Sequence, residues 1–155
     1  MWTVNDESPD VPDVTALIRE YFAELTVRYF KRPTDEAEID LTLAEFPADG
    51  LGTFLVLRRD GVAAGHLGVY PTGELTRFYV SPEHRRGGGG RALLAAAETW
   101  ARARQLPRLF LDTRTDLVEA RAFYTSCGFT EVLPPTSTPS QFQDHWFEKP
   151  LTRSA

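Results

Sequence analysis

The chain has 155 residues, 42% of them apolar and 25% charged, one domain's worth of ordinary globular composition that excludes disorder and fibrous repeats. Its single cysteine, Cys127, cannot form an internal disulfide, and His66, His84 and His145 are too scattered for a local zinc motif. The net charge of −5 is uneven, with 12 acids against 4 bases in residues 1–50 and 10 acids against 13 bases in residues 51–155, a balance that speaks against a nucleic-acid binder.

The opening Met-Trp-Thr-Val-Asn-Asp-Glu has neither the basic start nor the apolar run of a signal peptide, and no apolar stretch approaches the roughly 20 residues of a membrane span. The expected setting is the cytoplasm, away from membranes. Residues 2–4 predict a short strand. Pro12 suits a helix start, and Val14, Leu17, Ile18, Tyr21, Phe22, Leu25 and Tyr29 then recur at helical spacing until Lys31-Arg32-Pro33. A weaker helix is predicted over about 34–46, with Thr34 as N-cap and Asp35, Glu36 and Glu38 favoured by the helix dipole. Three strands follow, at about 53–58, 62–70 and 74–80. The breaks between them, Asp60-Gly61 and Pro71-Thr72-Gly73, are turn chemistry and make the strands antiparallel neighbours. After a glycine-rich loop, Leu93, Leu94, Ala97, Trp100 and Ala101 mark a helix to about Arg104, stopped by Gln105-Leu106-Pro107. Residues 109–112 read as a short buried strand. Asp116 is the expected cap of a last helix over about 117–126, ended by Gly128, and Val132 and Trp146-Phe147 suggest two final strands.

The informative segment is Phe78-Tyr-Val-Ser-Pro-Glu-His-Arg-Arg-Gly-Gly-Gly-Gly-Arg-Ala-Leu-Leu, which joins a strand to a helix. Glycines at a helix start leave backbone N–H groups unshielded and permit positive φ. With the helix dipole they form an anion site, and Arg85, Arg86 and Arg91 add positive charge beside it. A floppy surface loop is the bland alternative. A P-loop fails, because Gly90 is followed by Arg91-Ala92 rather than Lys-Ser/Thr. A dinucleotide fingerprint fits Gly87, Gly89 and Ala92, with Asp112 as the ribose acid, but hairpin-linked strands oppose it.

These residues resemble the GCN5-related N-acetyltransferase (GNAT) family. Its acyl-CoA loop, Arg/Gln-x-x-Gly-x-Gly/Ala, is matched by Arg85, Gly88 and Gly90. Val80-x-Pro82, Arg91-Ala92-Leu93-Leu94 and Ala120…Phe123-Tyr124…Gly128-Phe129 are similar as well. The resemblance covers residues 51–150 and implies an α/β fold, with a mixed central sheet of six to seven strands, splayed in the middle and flanked by about four helices. A single domain over 1–155 is implied, with 1–50 as acceptor-side helices and 51–150 as the acetyl-CoA-binding core. The implied activity is direct acetyl transfer from acetyl-CoA to a primary amine of a small molecule, without a metal. A homodimer through the final strand is common in the family. A non-catalytic acyl-CoA-binding module and a dinucleotide-binding protein stand as alternatives.

The resemblance implies that the Phe78, Tyr79 and Val80 backbone holds the pantetheine arm while Arg85, Arg86, Gly87, Gly88, Gly89, Gly90 and Arg91 hold the diphosphate. A backbone N–H of that strand would also stabilise the oxyanion. A primary amine arrives protonated and needs a base. Glu74, eleven residues before Arg85, occupies the place of the family's glutamate base. Strand alternation sets it on one face with Thr76, Phe78 and Val80; an exposed acid paired to an arginine, or a water chain in its stead, is the rival. Tyr124 is the candidate general acid for the departing thiolate, against a role in packing alone. The family's frequent asparagine seven residues before this tyrosine is Leu117 here. Cys127 reads as a small buried thiol and Trp146 as core, while His66 and His145 stand near the expected acceptor side. The acidic first fifty residues suggest a cationic acceptor, or simply a solvated helical face.

Overall fold

The Asp60-Gly61 hairpin organises the first half of the chain. Both residues have positive φ, 52° and 86°, the turn that matches strand twist. It joins β2 (Thr53–Arg59) to β3 (Val62–Val69) in antiparallel register. The computed structural model describes residues 1–114, 117–134 and 145–151. β1 (Trp2–Asp6) and β4 (Leu75–Val80) flank that hairpin, in the order β1-β2-β3-β4. A second sheet holds β5 (Arg108–Thr113), β6 (Thr130–Val132) and β7 (His145–Pro150) in the order β5-β7-β6.

Alternation along β2 decides which helix covers which face. Phe54 and Val56 pack under α1 (Pro12–Phe30), against Val14, Ile18 and Phe22. Leu55 and Leu57 face the other way, joining Leu93, Leu94 and Ala97 of α3 (Gly89–Ala103) in the main core. That core runs on through Leu109, Leu111 and Phe147, so one apolar cluster spans both sheets. Burying each such side chain stabilises the fold by about 1.5–3 kcal/mol. Two caps differ from expectation. In α2 (Glu36–Glu45) the N-cap is Asp35, which accepts from the Glu38 N–H at 2.9 Å, while Thr34 donates to the Glu38 carboxylate. The shorter Asp side chain reaches the orphan N–H. For α4 (Val118–Ser126) the N-cap is Leu117; the expected cap, Asp116, lies outside the described residues, as do Pro135 and Pro139.

Two irregularities open the sheet. The β3–β4 register passes from Gly65↔Val80 and His66↔Tyr79 to Gly68↔Thr76, one residue out of step, around a left-handed Arg77 at φ 52°. This is a β-bulge, and it reverses the faces beyond it. Thr76 and Tyr79 thus both lie in rows facing α1, while Phe78 and Val80 pack on the opposite cluster. The expectation that Glu74, Thr76, Phe78 and Val80 share a face is therefore corrected: strict alternation fails where an extra residue enters, between Thr76 and Phe78. The second irregularity lies between the sheets. β4 and β5 meet only at a parallel bridge, Glu74↔Phe110, where the Phe110 N–H donates to the Gly73 carbonyl at 3.2 Å. Beyond that pin they carry no ladder between them, which makes the sheet mixed and splayed.

Candidate active site

A cleft of about 660 Å³ is walled by β4, α1, α4 and the loop before α3. Phe78, Tyr79, Val80, Arg85, Arg86, Gly88, Gly89, Gly90 and Arg91 all line it. The loop leaves β4 through a 3₁₀ turn, Pro82–His84, and enters α3 at Gly88, whose φ of 87° favours glycine. No side chain caps α3, so its first-turn N–H groups stay open toward the cleft. An acyl-CoA diphosphate fits this cradle: bare amides, a dipole and cations converge there. Among the described residues Arg86 and Arg91 have no carboxylate partner, and Arg91 donates instead to Ser126 Oγ at 3.0 Å. Arg85 is held on both sides, its Nε donating to the Val80 carbonyl at 2.8 Å and its other nitrogen to Glu24 at 2.8 and 3.0 Å.

Gly87 stands apart from the other glycines. It does not line the cleft; its carbonyl accepts from the Trp2 indole at 2.7 Å, and a Cβ there would come within 2.9 Å of the same ring. Gly89 is likewise close to the core, where a Cβ would meet Leu57 Cδ2 at 2.6 Å.

A second cavity of about 420 Å³ opens on the other side of β4, between α1, α2 and β5. Its walls carry the rings of Phe22, Tyr29 and Phe46, two carboxylates (Glu45 and Asp112) and two guanidiniums (Arg77 and Arg114). The two cavities share Tyr21, Leu25, Phe78, Leu117, Ala120 and Tyr124, so they adjoin at these residues. Tyr124 stands at the junction. Its ring packs 5.9 Å from Phe78 and 5.8 Å from Phe129, and burial pushes its phenol far up, keeping it protonated. Among the described residues its hydroxyl has no hydrogen-bond partner. By contrast, the Tyr79 hydroxyl is already committed, donating to Glu20 at 3.0 Å.

Glu74 lines neither cavity. It sits at the pin between the sheets, and partial burial raises its carboxyl above the ordinary value. His66 also lines neither. It is fully buried, its Nδ1–H donates to the Arg77 carbonyl at 2.6 Å, and burial pushes its pKa down to about 4. His145 contacts Glu131 at 2.8 Å, Trp146 is buried against Phe110, and Cys127 caps α4. Glu45 escaped the sequence reading, Arg77 entered it only as an arginine partner for Glu74, and Asp112 was weighed only as a ribose acid. The second cavity draws them from three separate elements, and only the helical spacing of Tyr21, Phe22 and Leu25 signalled a wall there.

A splayed mixed sheet with an open-ended helix beside the gap defines the acyl-CoA N-acyltransferase class. The profile of the Acetyltransferase (GNAT) family matches residues 15–129, and the chain belongs to that family. It is an N-acetyltransferase. Aminoglycoside N(6')-acetyltransferase type 1 from Stenotrophomonas maltophilia is 31% identical over 136 residues, covering 80% of this chain and 88% of that protein. The solved structure of a protein assigned as an acyl-CoA N-acyltransferase from Klebsiella pneumoniae subsp. pneumoniae is 28% identical, with a TM-score of 0.75 over 98% of this chain and 99% of that one. PaiA N-acetyltransferase from Thermoplasma acidophilum, solved with coenzyme A, is 18% identical with a TM-score of 0.73, covering 97% and 99% of the two chains, and shares the fold.

Proposed function

We propose that the protein transfers the acetyl group of acetyl-CoA directly to a primary amine of a small molecule, with donor and acceptor bound together. The observation that carries this reading is the meeting of two cavities at Phe78 and Tyr124: each ligand has its own entrance and the reacting atoms share one place. In this reading the whole chain is one N-acetyltransferase domain. Residues 1–50 supply the acceptor-side helices and residues 51–150 the donor core. The amides of Gly88, Gly89 and Gly90, with Arg85, Arg86 and Arg91, hold the diphosphate. Gly87 shapes the loop against Trp2. The Phe78–Val80 backbone, facing the gap, pairs with the pantetheine arm.

In the transfer, an N–C bond forms as the C–S bond breaks, so one proton must leave the amine and one must reach the sulfur. Glu74, outside both cavities, takes the first proton through water; burial raises its affinity for that proton. Tyr124 gives the second. Its unbonded hydroxyl is at the junction, and the dry surroundings that raise its pKa raise the thiolate's as well. The test is thiol release from acetyl-CoA with a panel of amines, alongside calorimetry with CoA. Tight CoA binding with turnover of one amine class is expected. Binding without release on any amine would leave an acyl-CoA-binding module, and stabilisation by NAD(P) without CoA binding would overturn the reading. Gly88→Val must weaken CoA at least about tenfold, since the left-handed φ of 87° is strained for a β-branched residue.

A further inference from the structure

Arg77 is the charged residue that the transfer leaves unused. The bulge places it on the cavity wall, and His66 anchors its carbonyl from behind. Its guanidinium lies 5.1 Å from the centre of the Phe22 ring, and one nitrogen donates to the Phe46 carbonyl at 2.7 Å. Among the described residues no carboxylate lies within ion-pair reach of it. Other arginines of the chain are paired: Arg19 with Glu36 and Asp40, Arg58 with Glu7 and Asp13, Arg85 with Glu24. A guanidinium has five N–H donors, and apart from the bond to Phe46 those of Arg77 are open to an anion entering the cavity that it lines. Burial lowers the Arg77 pKa, which shows that the desolvation is felt.

We propose that the acceptor is an amine that also carries a carboxylate, and that Arg77 receives this carboxylate inside the second cavity. The inference deepens the acetyltransferase reading and rests on it. A carboxylate offers two oxygens in the plane that a guanidinium fork matches, so the open donors of Arg77 would be satisfied in pairs. The rest of the wall agrees. Glu45 and Asp112 are opposed by Arg77 and Arg114, the last with its guanidinium 5.0 Å from the centre of the Tyr29 ring. A wall with two charges of each sign fits a zwitterion; a polycation would be set against two desolvated guanidiniums. The Phe22, Tyr29 and Phe46 rings take the apolar body between the charged ends.

The experiment compares matched acceptors on the wild-type enzyme: L-phenylalanine, its amide and 2-phenylethylamine; 6-aminohexanoate and its amide; and an aminoglycoside. The carboxylate member of at least one set should show a kcat/KM at least about tenfold above its uncharged partners. Arg77→Met, which keeps the stem over Phe22, should bring that ratio close to one, and Arg77→Lys should retain part of it. Because each ratio is taken within one variant, a general loss of folding or rate does not enter it. Uncharged amines or the aminoglycoside turning over as well as the carboxylates, or an Arg77→Met ratio equal to wild type, would overturn the inference while leaving the acetyltransferase reading intact. Absence of thiol release from every amine would overturn both.

Discussion

Single residues divide here into those that hold a partner and those kept free of one. The Tyr124 hydroxyl belongs to the second kind, and this separates a catalytic role from packing. The hydroxyl has no hydrogen-bond partner among the described residues, so Tyr124→Phe should leave the melting temperature unchanged or slightly higher. If the hydroxyl reprotonates the thiolate, kcat should fall about 100-fold with CoA affinity kept. A wild-type kcat would end that assignment. Glu74 must be ionised to accept a proton, so kcat/KM should fall as pH drops through its raised pKa, and this acid limb should vanish in Glu74→Gln. His66 gives a stability test. Its folded pKa, about 4, lies below the ordinary 6.5, so between those values the unfolded chain binds a proton that the folded chain refuses. Stability therefore falls as pH drops through that window and is level above it, by about 3 kcal/mol over the full span. Urea midpoints at pH 7.5 and 5.0 should differ, and the difference should shrink in His66→Asn, which keeps an N–H donor for the Arg77 carbonyl and cannot titrate.

At the scale of the elements, legibility followed locality. The Asp60-Gly61 turn, the helical spacing of α1 and the glycine-rich entry to α3 were legible because each is set by neighbours in sequence. The bulge was not. One extra residue leaves no mark in composition, and Arg77 reads as an ordinary member of an alternating strand until its φ of 52° is seen. The second cavity was hidden for a related reason: α1, α2, β4 and β5 meet only through tertiary packing. The pin between the sheets is the element-scale feature most open to test. Gly73 has φ 96°, its carbonyl accepts from Phe110, and a Cβ there would lie 2.4 Å from the Arg108 carbonyl oxygen. Gly73→Ala adds backbone strain to a clash with main chain, so a loss of at least about 2 kcal/mol is expected, with weaker CoA binding as the splay changes. Gly61→Ala is the comparison: φ is 86° but nothing stands within 4 Å, so only the conformational cost of about 1 kcal/mol remains. Equal melting temperatures for the two variants would show that the pin bears no load.

Across the whole molecule, charge and ligand act together. Among the described residues, six of the 12 acids in the first fifty pair with arginines: Glu36 and Asp40 with Arg19, Glu38 with Arg32, Glu7 and Asp13 with Arg58, and Glu24 with Arg85. Arg86 and Arg91 remain without carboxylate partners on the cleft wall, which contains parts from both sides of the split. A ligand filling the cleft would bridge β4, α1, α3 and α4, and it binds only when they are assembled. At a concentration 100 times its dissociation constant, CoA should thus stabilise the fold by about 2.7 kcal/mol, roughly 5–10 °C in melting temperature for a chain of this size. The shift should shrink between 50 and 500 mM salt, because exposed arginine–phosphate attraction is screened over a few ångströms at the higher value. NAD⁺ at the same concentration should produce no shift, since the acids of the cleft, Glu24 and Glu119, are already paired with Arg85 and Arg28, and Asp112 lines the other cavity. Equal stabilisation by both nucleotides, or a CoA shift indifferent to Gly88→Val, would mean that the amides at the start of α3 do not bind the diphosphate.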